Sequence, residues 1–70
     1  MDQVYKKLEM VGSSRNSVEE AIGNALERTG EAIRHMRWFE VAEIRGYIED
    51  GKVSYYQVTL KVGFLVEQPG

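Results

Sequence analysis

The dipeptide Asp50-Gly51 constrains this chain more than any other feature. Asp-Gly readily takes the two positive φ angles of a type I′ turn, whose twist matches two antiparallel strands joined by only two residues. Before it, Trp38 to Glu49 is rich in aromatic and β-branched residues, and after it Lys52 to Glu67 is a second such run. A turn this short fixes register too. Glu49 opposes Lys52, which sets Glu40 opposite Lys61 and Trp38 opposite Gly63.

Upstream of the hairpin, Val4 to Val11 places Val4, Leu8 and Met10 at even positions with Lys7 and Glu9 between them, which predicts a strand with Lys6 as its one exception. Gly12, Ser13 and Ser14 are expected to end it. Ser17-Val18-Glu19-Glu20 then reads as a capping box, the serine oxygen accepting from a free amide and Glu20 reaching back to the cap. A helix follows. Val18, Ala21, Ile22, Ala25, Leu26, Ala32, Ile33 and Met36 keep the three-and-four spacing of one buried stripe, with Glu19 and Glu20 at the start and Arg34 and His35 at the end to suit the helix dipole. Gly23 and Gly30 each weaken it by about 1 kcal/mol relative to alanine, so the helix is expected to depend on packing. The order is β-α-β-β, an α+β fold. A crossover helix makes strands one and two parallel, and strand three, opposite to both, belongs at the centre of a three-stranded sheet. Residues 1–67 form one domain and 68–70 a tail.

A chain of 70 residues with one core nets only about 3–5 kcal/mol and needs reinforcement from disulfides, a metal or other subunits. Here there is no cysteine and the one histidine is His35, so oligomerisation is the remaining route. The lack of cysteine fits a reducing compartment. No apolar run near Met1 resembles a signal peptide and none of about 18 residues could span a bilayer, so the expectation is a soluble, cytoplasmic protein with no membrane partner. Net charge is −2 with acids and bases interspersed, which is not the basic footprint of a nucleic-acid binder.

With an unbroken hairpin register, one sheet face carries Val58, Leu60, Val62 and Phe64 opposite Phe39 and Val41, and suits the helix stripe. The other face carries Trp38, Ala42, Ile44 and Ile48 with Val53, Tyr55, Gln57 and Thr59, and pairs Glu40 with Lys61. One helix cannot cover both faces. An apolar patch of this kind marks an interface, so the second face is expected to be buried between subunits. Trp38 and Gln57 share it, six positions apart along the third strand and about 20 Å apart at 3.3 Å per residue. One flat ligand touches both only if they come from different subunits or if a bulge shifts the register. Gly63 opposite the indole either lets a flat ring approach closely or marks a twist or bulge in a long strand.

Met36-Arg37-Trp38-Phe39-Glu40-Val41, Ile44-Arg45-Gly46, Tyr56-Gln57-Val58 and Lys61-Val62-Gly63-Phe64, with Val4-Tyr5-Lys6-Lys7 and Val11-Gly12 before them, resemble the dodecins in order and spacing along essentially the whole chain. The resemblance implies a sheet partly wrapped around its helix, assembly into a hollow homododecamer, and binding of FMN, riboflavin or FAD, with FMN expected. Flavins would stack in pairs between symmetry-related tryptophans. By motif position Trp38 would be the stacking residue, Gln57 the side chain that meets the isoalloxazine edge, Arg45 a neighbour of the ribityl phosphate and Arg37 a lining residue. In the unbroken register Arg45 projects to the helix side with Tyr56, away from Trp38 and Gln57, so reaching a ligand would take a bulge, a sheet edge or another subunit. Some dodecins also bind coenzyme A through basic residues; here Gln3 and Leu65 occupy two of those positions, and although Arg28 is retained, coenzyme A is not carried over.

An indole is the largest electron-rich face a side chain offers to an electron-poor isoalloxazine, and a carboxamide matches the alternating donors and acceptors of its pyrimidine edge. A flavin held between another flavin and an indole has both faces blocked. The function expected is therefore storage, buffering and photoprotection and not catalysis; the alternative is an oligomeric shell or small-ligand protein that does not use flavin. No second histidine or cysteine is available for a nucleophile or metal, and Glu40, Glu43 and Glu49 form no evident acid–base pair or metal site.

Overall fold

The computed structural model describes residues 2–67; the tail expected at 68–70 lies outside the described residues. Strand β1 is Tyr5–Ser14, helix α1 Val18–Gly30, strand β2 Met36–Glu49 and strand β3 Lys52–Leu65. The sheet is antiparallel in the order β1-β3-β2, with β3 central as the connections require. Asp50 and Gly51 have φ of 52° and 75°, the two left-handed angles of a type I′ turn, and Glu49 pairs with Lys52.

β1 does not stop at Gly12. Gly12, Ser13 and Ser14 pair with Val58, Gln57 and Tyr56 and continue the ladder. Gly12 is there for the helix: a Cβ on it would overlap the backbone oxygen of Ala21 and the methyl of Ala25. Ser17 caps α1 by accepting from the Glu20 amide at 3.0 Å, but Glu20 does not return to the cap, because its carboxylate accepts from the Asn16 side chain at 2.7 Å. The helix also ends earlier than its apolar pattern suggests. After Gly30 the amides of Ala32 and Ile33 both bond back to Thr29, and His35 turns the chain with φ of 63°. Its carbonyl accepts from the Leu65 amide at 3.0 Å and Met36 pairs with Phe64, so sheet pairing claims the segment that periodicity assigned to helix.

The helix lies over β1 and β3 and leaves β2 bare. Ala21, Ala25, Val58 and Leu60 form the core, with Met10, Val18, Ile22 and Leu26 against it. A helix of 13 residues is about 20 Å long, whereas hairpin strands of 14 residues reach about 46 Å, so the sheet outruns its cover. The Cα radius of gyration, 14.7 Å, exceeds the roughly 11 Å of a globule this size, and the chain measures 57 × 20 × 13 Å.

The uncovered apolar surface is not where an unbroken register puts it. Phe39 and Val41 pair with Val62 and Leu60, and Ile44 with Val58, so all three face the helix side. They remain 45%, 42% and 56% exposed there because α1 does not reach β2. Ile48 and Val53 continue this stripe towards the turn. The opposite face is mostly polar.

Candidate functional site

Three irregularities decide which side chains meet. Arg37 is an extra residue between the pairs Met36–Phe64 and Trp38–Gly63, Ala42 an extra one between Val41–Leu60 and Glu43–Thr59, and Ser54 an extra one on β3 between the pairs of Tyr47 and Ile48. The first turns Met36 to the helix side and Trp38 to the far side. The second moves Ile44 to the helix side and Arg45 to the far side, directly opposite Gln57. This corrects the expectation for Arg45, which shares a face with Trp38 and Gln57, and for Ile44, which does not.

The far face at the Trp38 end is built around a missing side chain. Lys7 of β1 and Trp38 of β2 both flank Gly63 of β3 in one row across the sheet. A Cβ on Gly63 would run into Cε2, Cζ2 and Cη2 of the indole, so the six-membered half of the ring lies on bare backbone. Both readings of Gly63 are met: the protein's own tryptophan approaches it closely, and the Arg37 bulge lies beside it. The indole N–H donates to Glu40 Oε2 at 3.0 Å, and the same oxygen accepts from Lys7 Nζ at 2.7 Å. Tyr5 meets the indole edge-on, with ring centres 5.2 Å apart and planes at 68°. Trp38 stays 38% exposed. Glu40 thus pairs with Lys7, two strands away, and not with its cross-strand neighbour Lys61. Hydrogen bonds from Lys7 first and then from Trp38 hold the Glu40 carboxyl below its ordinary range. Gly63→Ala is expected to lift the indole off the sheet; since Trp38 is the one tryptophan, a red shift of its emission reports this, and an unmoved spectrum would contradict it.

Gln57 is half-buried in mid-sheet, flanked by Ser13 and Arg45. Arg45 is held along its own strand: Nη2 donates to the Tyr47 hydroxyl at 2.7 Å, the guanidinium carbon sits 5.3 Å from the Tyr47 ring centre, and Glu43 is 3.8 Å away. Tyr47 in turn stacks on Tyr55 with centres 4.6 Å apart and planes 14° apart. Arg37, the bulged residue beside Trp38, is exposed. Within one chain the structure therefore holds two half-sites and does not join them, since Gly63 and Gln57 are six positions apart on β3, about 20 Å. Tyr5, Lys7 and Tyr47 were not singled out in the sequence. Lys7 had no visible signal, because the turn fixes the pairing of β2 with β3 and is silent on β1.

An open indole, a distant carboxamide on the same face and an apolar stripe left bare by the helix are the features of a small α+β binding subunit. Comparison with known proteins gives this class its family. The dodecin family model matches residues 4–67. A dodecin of Thermus thermophilus is 52% identical over 68 residues, covering 97% of this chain and 99% of that protein. A crystal structure of a Thermus thermophilus protein, 50% identical, superposes with a TM-score of 0.92 over 97% of this chain and 100% of its own. The dodecin of Streptomyces coelicolor, 43% identical, superposes at 0.91 over 97% of each chain. The chain belongs to the dodecin family.

Proposed function

We propose that this protein binds flavin, FMN foremost and riboflavin or FAD by the same ring contacts, for storage, buffering and photoprotection. One observation carries the reading: the Trp38 indole is laid on the bare backbone of Gly63, its N–H is tied to Glu40, and more than a third of the residue is left open. A flat ring fixed in this way is a stacking platform whose orientation is settled before the ligand arrives, which lowers the ordering cost of binding. Gln57 supplies a donor and an acceptor to a heterocycle edge, and Arg45, opposite it, supplies a cation for a phosphate. Arg37 would line the pocket beside the indole.

The span of about 20 Å between Trp38 and Gln57 means that one ligand meets both only across a subunit boundary. The bare stripe of Phe39, Val41 and Ile44 supplies the apolar surface for such assembly, and family membership supports a homododecamer. Bound flavin supplies a photo-oxidant that is harmful when free. Trp38 would be the residue to hold the flavin ring, and as an electron-rich indole it would supply an electron to excited flavin and accept it back, so that the energy would be lost as heat. A flavin stacked between an indole and a second flavin would have both ring faces covered and leave a substrate no route to the reactive centre, which supports a non-enzymatic role.

Titration of FMN with the protein tests this. Flavin emission is expected to be strongly quenched, saturating at about one flavin per subunit because equivalent subunits contribute equally. Unquenched emission, or an assembled shell that takes up no flavin, would favour the flavin-free reading.

A further inference from the structure

We infer that Glu40 and Lys7 are positioning residues for the ligand-stacking indole, a two-member clamp that meets across β3 beside the gap the indole fills at Gly63. The inference rests on the flavin reading and adds residues on two strands that do not themselves stack on the ligand.

Neighbouring strands lie about 4.8 Å apart, so side chains on β1 and β2 are ordinarily kept from one another by the side chain on β3 between them. In the row Lys7–Gly63–Trp38 that side chain is missing. The indole occupies the gap, and Lys7, from the far side of β3, reaches the Glu40 carboxylate at 2.7 Å. A single oxygen, Glu40 Oε2, receives both the Lys7 ammonium and the indole N–H. Gly63 alone allows the ring to lie down but not which way it points. The N–H to Glu40 fixes its rotation, and Lys7 fixes Glu40. Tyr5 closes the ring's edge at 5.2 Å. Lys61, between Glu9 and Glu40 in the next row, is the remaining cation facing the carboxylate, and the Lys7 bond outweighs it.

The clamp makes a specific demand on a double-mutant cycle. If Lys7 acts on the indole only through Glu40, its loss matters only while Glu40 is present. FMN affinity is measured by fluorescence for the parent, Glu40→Ala, Glu40→Gln, Lys7→Met and the Lys7→Met, Glu40→Ala double variant, with subunit number checked by native mass spectrometry. Loss of one charge-assisted hydrogen bond predicts about tenfold weaker binding for Glu40→Ala. Glu40→Gln, which keeps an acceptor for the indole, recovers most of it, Lys7→Met costs about threefold, and the double variant is no weaker than Glu40→Ala alone. In the ligand-free protein Glu40→Ala also red-shifts the tryptophan emission. Additive losses, or equal losses for the alanine and glutamine variants, overturn the clamp while leaving flavin binding intact. A parent that binds no FMN overturns the flavin reading with it, whereas a parent that binds and an unaffected Glu40→Ala overturn the clamp alone.

Discussion

Trp38→Ala is expected to weaken FMN binding by roughly 140- to 700-fold, the equivalent of about 3–4 kcal/mol. Aromatic stacking contributes about 0.5–1.5 kcal/mol beyond area, and covering about 100 Å² of ring at 25 cal/mol per Å² adds about 2.5 kcal/mol. The loss falls on the ligand and not on the subunit core: the indole lies on the face opposite the helix, and the buried residues Ala21, Ala25, Val58, Leu60 and Val62 do not include it. Quenching of flavin emission checks the effect. The residual complex, if formed, is expected to fluoresce, because the electron donor is gone. Binding as tight and as dark as the parent's would remove Trp38 from the site.

The second large effect concerns stability. Gly12→Ala is expected to cost about 3 kcal/mol or more, the upper end of overpacking, because the added methyl meets the Ala21 carbonyl oxygen. A flexible side chain could move aside; a helix backbone has to back away from the sheet as a unit. Asn24 ties that helix to β1 by donating to the Ser13 carbonyl at 2.9 Å, and Thr29 donates to the Met10 sulfur at 2.8 Å, so retreat would stretch both contacts. Denaturant unfolding at fixed protein concentration reads the change, since subunit association contributes to the measured stability. An unchanged midpoint would mean that the helix does not pack as closely on β1 as described.

Much of this architecture is legible in the residues, and the reason is local. Asp50-Gly51 admits essentially one turn, and that turn sets Glu49 on Lys52; Glu40 on Lys61 and Trp38 on Gly63 keep the same register because the extra residues Ser54 on β3 and Ala42 on β2 cancel. Ser17 marks the helix start because a side-chain acceptor at that point satisfies an otherwise free amide. What the residues state less openly is where the ladder slips. The apolar positions Phe39 and Val41 are two apart, and then Ile44, Gly46 and Ile48 resume in the opposite phase, a jump of three that is the trace of one extra residue at Ala42. An unbroken alternation put Arg45 on the helix side and Ile44 on the far side, the reverse of what is found. The slip is the feature that gives Arg45 and Gln57 a common face.

The helix end and the Glu40 partner were illegible for a different reason: both depend on pairing between distant segments. Ala32, Ile33 and Met36 satisfy a helical period as well as they satisfy a turn and a strand, and only the bond from Leu65 to His35 and the pair Met36–Phe64 decide between them. Lys7 reaches Glu40 because the register of β1 on β3 puts it beside a glycine. A hairpin turn carries no information about that register. Lys61, the expected partner, was the answer a two-stranded view allows.

The claim on which the rest stands is that one subunit holds two halves of different sites. Native mass spectrometry of the purified protein, with and without FMN, tests it most directly. The expected result is a homododecamer that gains about one FMN per subunit, with FMN uptake weakened in Trp38→Ala without loss of assembly. A monomer that takes up FMN by itself would contradict it, because Trp38 and Gln57 of a single chain stand too far apart to grip the same ring.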